Sequence, residues 1–279
     1  MFVINTRLEL RKKLAQFRSI GTIGCVPTMG ALHNGHLSLV KRAASENTFV
    51  TVSIFVNPAQ FNDSDDLKGY PRNLETDIKM LEKAGCHLVF VPSEKEIYPE
   101  PDNREFDFEG LDEVMEGRFR KGHFNGVAQV VSILFDLFEP HRAYFGQKDF
   151  QQYVIIKRLV EMLQLPIEIV PCPIVREKNG LAMSSRNELL SAAERENAAI
   201  IYKILKEVNN QKELKSVQEL KKWVVDTINK NPLLNVEYFE IVNYDNLQSV
   251  NDWDEINKKV ACIAVYCGKV RLIDNYVLN

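Results

Sequence analysis

Short runs of apolar residues, many of them β-branched or aromatic, recur through the first two thirds of the chain. They are TIGCV (22–26), FVTVSIFV (49–56), HLVFV (87–91), RAYFG (142–146) and IEIVPC (167–172). Runs that are apolar at successive positions, rather than alternate ones, predict strands buried on both faces. Between them the apolar positions take helical spacing, in HLSLVKRAA (36–44), LETDIKMLEKAG (74–85), VAQVVSILFDLF (127–138) and FQQYVIIKRLVEML (150–163). Strand alternating with helix predicts an α/β unit whose parallel sheet is covered on both faces. Such sheets bind ligands beyond the carboxyl ends of their strands, where glycine-rich turns feed helix N-termini.

After about residue 175 the pattern changes. Residues 190–209 and 214–230 predict two amphipathic helices, the second broken by Asn231-Pro232. NVEYFEIVN (235–243), VACIAVYC (260–267) and VRLIDNYVL (270–278) then predict strands, the last two joined by a two-residue turn at Gly268-Lys269. This is the pattern of a smaller α+β domain with an antiparallel sheet. The boundary falls near 176–186, dividing the chain into 1–180 and 181–279.

Composition narrows the function classes. The 279 residues are 45% apolar and 26% charged, with 35 basic and 38 acidic side chains and a formal net charge of −3. No basic excess points to nucleic acid, and no segment has membrane-spanning length. Cys25, Cys86, Cys172, Cys262 and Cys267 form no CxxC pair and mostly lie in apolar runs, the pattern of buried reduced thiols. The N-terminus, MFVINTRLELRKKL, lacks the long uncharged core of a signal peptide, so a cytoplasmic location is expected.

Candidate chemistry gathers at the turns. PTMGALHNGHLSLV (27–40) follows the first of these strands, with His36 at or near the first helical residue. Unsatisfied N–H groups at that helix end favour an anion, and the glycines allow close approach of a phosphate. The three-residue spacing puts His33 and His36 on one side of the turn, where imidazole N–H groups can meet developing phosphate charge. Metal ligation is the other reading, but no nearby Cys, His or carboxylate cluster completes a zinc site. GQKDFQQ (146–152) places Lys148 and Asp149 at a second strand-to-helix passage, with Gln152 one helical turn beyond. Lysine there can neutralise phosphate charge, and aspartate can cap the helix or accept from hydroxyls. LAMSSRN (181–187) is rich in donors for phosphate oxygens, although such a stretch by itself is more often a capping turn than a site. FVNPAQF (55–61) offers Asn57 and Gln60 at a strand end, suited to hydroxyls or a carboxylate. MEGRFRKGHFNGV (115–127) brings Glu116, Arg118, Arg120 and His123 before a helix, as a lid or a solvated loop.

Taken in order and spacing, PTMGALHNGH, FVNPAQF, GRFRKGHFNGV, GQKDFQQ and MSSRN resemble the pantoate–β-alanine ligase (pantothenate synthetase) family, densely over about residues 22–190 and loosely beyond. HxGH alone resembles only the wider nucleotidyltransferase superfamily. The resemblance implies a Rossmann-like N-terminal domain, 1–180, that binds ATP and pantoate, and a smaller C-terminal lid domain, 181–279. It implies that pantoate and ATP give pantoyl adenylate and pyrophosphate, after which β-alanine attacks to give pantothenate and AMP. By the same carry-over His36, His33, Lys148, Ser184, Ser185 and Arg186 are catalytic. Met29, Gly30, Gly146, Gln147, Asp149, Val175 and Met183 join them around ATP, with Gln147 offering backbone. Gln60 and Gln152 grip pantoate, Gln60 also serves β-alanine, and Asn57 supports them. Glu116 and Arg120 resemble lid residues. Mg²⁺ is expected with ATP, held mainly by phosphates and water, and a homodimer is implied, with neither nucleic acid nor membrane as partner. The rivals are a nucleotidyltransferase that leaves the nucleotidyl group on its product, and a non-catalytic nucleotide-binding module.

Overall fold

In a computed structural model describing residues 1–62, 64–255 and 258–278, the strands form a six-stranded parallel sheet and a three-stranded antiparallel one. The first contains β1 (Phe2–Ile4), β2 (Ile23–Thr28), β3 (Phe49–Ile54), β4 (Leu88–Phe90), β5 (Arg142–Gly146) and β6 (Glu168–Cys172), in the order β1-β4-β3-β2-β5-β6. From β2 the sheet grows outward through β3 and β4, then resumes on the other side of β2 with β5 and β6. This is the Rossmann-like arrangement, and its order reverses between the paired strands β2 and β5. The chain leaves β2 into PTMGALHNGH and leaves β5 at Gly146, so two of the candidate turns start from adjacent strand ends.

The helices of this part are α1 (Arg7–Arg18), α2 (Asn34–Glu46), α3 (Ser64–Gly69), α4 (Leu74–Lys83), α5 (Glu94–Ile97), α6 (Met115–Phe119), α7 (His123–Phe138) and α8 (Phe150–Met162). Val40 and Ala43 of α2 and Leu81 of α4 bury against Val26, Val50, Val52 and Val89 of the sheet. The hydropathy pattern leaves β1 and α1 unassigned; both form. β1 pairs in parallel with β4, Phe2 opposite Leu88, and α1 buries only Leu10, Leu14 and Phe17 beneath a charged face.

Two histidines close the sheet at its strand entrances. His141 Nδ1 accepts from Ile23 N–H and His87 Nδ1 from Val50 N–H, each at 3.1 Å. Burial, with the nearby chain amine, lowers the His87 pKa below its ordinary 6.5. The unfolded chain therefore takes up this proton at higher pH than the folded one. The stability from neutral His87 is complete above about pH 6.5 and is lost as pH falls through the lowered value. Urea midpoints measured between about pH 7.5 and 5 should fall less steeply in His87→Asn, whose side-chain oxygen still accepts from Val50. Identical slopes in the two proteins would remove His87 as the cause.

The chain divides into two compact units, Met1–Gln147 with Ile155–Pro173, and Lys148–Val154 with Ile174–Asn279. The second contains the antiparallel sheet of β7 (Leu234–Asn243), β8 (Lys259–Cys267) and β9 (Val270–Leu278), together with α9 (Ala192–Ala198), α10 (Ile200–Gln211) and α11 (Val217–Ile228). Gly268-Lys269 does form the two-residue turn, with Cys267 opposite Val270. The helix expected over 190–209 is instead two, meeting at Ala199. Ser191 with Glu194 and Ser216 with Glu219 make reciprocal capping boxes that start α9 and α11. Ile201, Leu205, Leu220 and Val224 pack with Phe239, Ile241, Ile263 and Leu272 in this unit's core. Among the described residues no helix is long and apolar enough to cross a membrane.

Candidate active site

The histidine turn is built from the end of β2. The Thr28 hydroxyl donates to Ser53 O at 2.7 Å and accepts from Gly30 N–H at 3.3 Å. Gly30 and Ala31 then pass through the left-handed region at φ +79° and +50°. Glycine adopts this freely and alanine does not, so the turn needs external support. Asp77 of α4 supplies it. Its carboxylate is 2% exposed and accepts Ala31 N–H at 2.9 Å on one oxygen and Leu32 N–H at 2.8 Å on the other. Burial pushes the Asp77 carboxyl above its ordinary pKa, against the downward pull of these two donors.

The helix begins two residues earlier than the hydropathy pattern suggests. His33 is the N-cap of α2 and His36 its third residue. The two rings cap it reciprocally: His33 Nδ1 accepts Gly35 N–H at 3.1 Å, and His36 Nδ1 accepts His33 N–H at 3.3 Å. Imidazoles thus occupy the places that serine and glutamate take in an ordinary capping box. A ring nitrogen that accepts carries no proton, so both neutral rings hold theirs on Nε2. The ring centroids are 4.0 Å apart with their planes inclined at 34°. Two Nε2–H donors therefore stand at the N-terminus of a 13-residue helix, whose dipole also favours an anion.

Asn57 caps the 3₁₀ turn Pro58–Gln60. Its Oδ1 accepts from the Tyr98 hydroxyl at 2.8 Å and Ala59 N–H at 3.3 Å, and its Nδ2 donates to Gly126 O at 2.9 Å and Gln60 Oε1 at 3.2 Å. At 1% exposure, Asn57 directs its polar atoms to the protein and holds Gln60 in place. Gln60 Nε2 in turn donates to the Met29 thioether sulfur at 3.1 Å, which joins FVNPAQF to the histidine turn. The Gln60 carbonyl accepts from His123 Nδ1 at 2.8 Å and from Arg120 Nη2 at 3.4 Å. A carbonyl only accepts, so His123 carries its proton on Nδ1, and its Nε2 receives Arg120 Nη1 at 3.1 Å. Arg120 is the C-cap of α6 and His123 opens α7. The segment read as a lid or a solvated loop is largely helical, with Glu116 and His123 buried.

Of the remaining candidates, Gly146 and Gln147 lie at the end of β5 in the first unit, and the others lie in the second unit. Lys148 and Asp149 belong to the 3₁₀ turn Gln147–Asp149 that leads into α8, with Lys148 Nζ 3.3 Å from Asp149 Oδ1. Gln152 follows in the first turn of α8, half-buried. Met183 N–H donates to Val175 O at 2.9 Å, placing these two residues side by side. Ser184 caps a 3₁₀ turn, Ser185–Leu189, by accepting Arg186 N–H at 3.3 Å. Beneath it the 1% exposed Asn187 donates to Glu177 Oε1 at 2.8 Å and to Ala182 O at 3.0 Å. Glu177 is held by Arg195 through two 2.9 Å bonds.

The first unit thus assembles Met29, Gly30, His33, His36, Asn57 and Gln60 on adjoining turns, with Gly146 and Gln147 at the end of β5. The second carries Lys148, Asp149, Gln152, Val175, Met183, Ser184, Ser185 and Arg186. Sequence reasoning missed Asp77, Tyr98 and Asn187, which support the candidate residues from buried or half-buried positions. All five cysteines are buried, with burial pushing Cys25 and Cys86 up to about 12, so neither offers a thiolate near neutral pH. Among the described residues no grouping of three or more His, Cys, Asp or Glu side chains is placed to hold a metal ion.

Comparison with known proteins gives a consistent result. Residues 2–277 match the pantoate-beta-alanine ligase family, so the match includes the C-terminal third. The chain is 54% identical to the pantothenate synthetase of Bacteroides fragilis strain YCH46, over 99% of this chain and 98% of that one. The crystal structure of pantothenate synthetase from Thermus thermophilus superposes with a TM-score of 0.92 at 41% identity, covering 99% of each chain. That of pantoate-beta-alanine ligase from Francisella tularensis, complexed with beta-gamma ATP and beta-alanine, gives 0.83 at 38% identity, covering 99% of this chain and 97% of that one.

Proposed function

The chain belongs to the pantoate-beta-alanine ligase family, and from that premise we infer that it joins pantoate to β-alanine using ATP. A pantoate carboxylate oxygen attacks the α-phosphorus, the bond to the bridging oxygen breaks, and pyrophosphate leaves. The β-alanine amine then attacks the acyl carbon of pantoyl adenylate, loses a proton and expels AMP. Neither step requires a protein nucleophile. Both require in-line placement and neutralisation of phosphate charge.

The observation that supports this reading best is the Gln60–Met29 contact at 3.1 Å, which joins the polar turn of Asn57 and Gln60, suited to a carboxylate or hydroxyls, to the histidine turn. We assign His33 and His36 to the phosphates through their Nε2–H groups, with His36 the principal donor. Lys148, Ser184, Ser185 and Arg186 hold the triphosphate and the departing pyrophosphate. Met29, Gly30, Gly146, Gln147, Asp149, Val175 and Met183 line the adenosine side. Gln60 and Gln152 grip pantoate, and Asn57 acts through Gln60. His123 and Arg120 fix the Gln60 backbone, a role the hydrogen bonds to its carbonyl support. Residues 181–279 serve as the smaller, lid-forming part that keeps water from the adenylate, and Glu116 and Arg120 act as lid residues. Magnesium accompanies ATP, carried by phosphate oxygens and water. We further assign the enzyme to the cytoplasm as a homodimer.

The test is one mixture of protein, ATP, magnesium, pantoate and β-alanine, with each component omitted in turn. AMP should be released only from the complete mixture. Release of pyrophosphate with a stable adenylylated product, unaffected by β-alanine, would select the nucleotidyltransferase that keeps its nucleotidyl group.

A further inference from the structure

We propose that Arg176, Asp274 and Asn275 form a buried brace that positions the nucleotide-binding segments of the second unit, with Asn275 setting the place of Lys148. The inference rests on the role assigned above to Lys148. Asn275, 4% exposed on β9, donates from Nδ2 to Lys148 O at 2.9 Å across 127 residues of sequence. That carbonyl lies in the turn just before α8. Fixing it fixes the peptide from which the Lys148 side chain extends.

Asn275 is itself fixed from two sides. Its N–H donates to Asp274 Oδ1 at 2.8 Å, and its carbonyl accepts from Arg176 Nη2 at 3.4 Å. Arg176 engages Asp274 with both nitrogens, Nη1 to Oδ2 at 2.6 Å and Nη2 to Oδ1 at 2.9 Å. The same guanidinium donates to Gly180 O at 3.1 Å and lies 3.6 Å from the centroid of the Tyr202 ring. Arg176 follows Val175, whose carbonyl receives Met183 N–H. One cluster therefore ties both proposed nucleotide segments, around 148–149 and 175–186, to the last strand of the chain. It also gives a reason for Lys148–Val154 to belong with the C-terminal unit.

The chemistry of the cluster favours geometry over stability. A buried arginine–carboxylate pair contributes little net stability relative to apolar packing, but a bidentate pair is directionally exacting. Catalysis by charge neutralisation is sensitive to such direction, because a displacement of about 1 Å can cost about 10²-fold.

Asn275→Asp keeps the side-chain shape and removes the N–H donor; Asn275→Ala removes the side chain. Each should lower kcat/KM for ATP by about 5–30-fold, the scale of losing one or two hydrogen bonds. The KM for pantoate should stay within about twofold. A role confined to stability would lower the urea midpoint and leave the two substrates equally affected, and that result overturns the proposal. If the alanine variant fails to fold, the aspartate variant carries the test. Lys148→Ala separates the two inferences. If it is strongly impaired while Asn275→Asp behaves as wild type, the brace alone fails. If Lys148→Ala keeps normal ATP kinetics, the role of Lys148 fails, and the brace with it.

Discussion

His36→Ala is expected to slow formation of pantoyl adenylate by about 10²–10³-fold, the scale of removing one preorganised donor from a charge that develops in the transition state. The measurement is exchange of labelled pyrophosphate into ATP in the presence of pantoate, which isolates the first step. The reciprocal cap complicates the alanine variant, because His36 Nδ1 also accepts His33 N–H at 3.3 Å. Losing that bond costs about 0.5–2 kcal/mol of helix-start stability in ordinary caps. It would also free the His33 backbone, so part of any rate loss could come from a displaced neighbour. His36→Asn separates the two contributions. Its side-chain oxygen can stand where Nδ1 stood and accept the same N–H, while the donor at the Nε2 position is gone. The asparagine variant should keep the wild-type unfolding midpoint and still lose most of the exchange rate. An asparagine variant with near-normal exchange would take the His36 Nε2–H out of the mechanism and leave the ring a structural cap.

Much of this fold and part of this site can be read from the chain, and the physical reasons differ by segment. Strands β2 to β6 are legible because a parallel sheet buried on both faces requires uninterrupted apolar runs. β1 is not, since Phe2–Ile4 is too short to show a period and its partner β4 lies far along the chain, with Phe2 opposite Leu88. The charged sequence of α1, RLELRKKLAQFR, hides its three buried positions. His33 and His36 announce themselves through glycine and spacing. Asp77 reads as an ordinary acidic residue in the first turn of a helix, where the dipole welcomes it. A signal is nonetheless present: Asp77 stands four residues before buried Leu81, on the inward face. An acid there must find donors, and Ala31 and Leu32 supply them. Nothing comparable could pair Arg176 with Asp274 or Asn275 with Lys148. Those partners are set by the tertiary arrangement of segments far apart in the chain, and their side chains carry no local period.

Gly126 supports the turn that carries Asn57 and Gln60, and its replacement should have the largest combined effect. A Cβ at Gly126 would sit 2.3 Å from Ala59 O, 2.5 Å from Ala59 C and 2.8 Å from Gln60 N. These are backbone atoms of the turn Pro58–Gln60, so no side-chain rotation can relieve the clash. Gly126→Ala must push α7 and the turn apart. The displacement stretches the 2.9 Å bond from Asn57 Nδ2 to Gly126 O, and with it the cap that holds Gln60. It also disturbs the His123–Gln60 bond at 2.8 Å, because His123 is on the same helix. Overpacking of this kind typically destabilises by about 1–3 kcal/mol, readable as a lower urea midpoint with an unchanged slope. The functional consequence should fall on pantoate, whose KM is expected to rise about tenfold or more. The KM for ATP should change less, because the histidine turn, although it meets Gln60 at Met29, has its own supports in Thr28 and Asp77. A Gly126→Ala protein with wild-type stability and wild-type pantoate KM would mean that the turn yields without moving Gln60. In that case the close packing of α7 would not be what places Gln60.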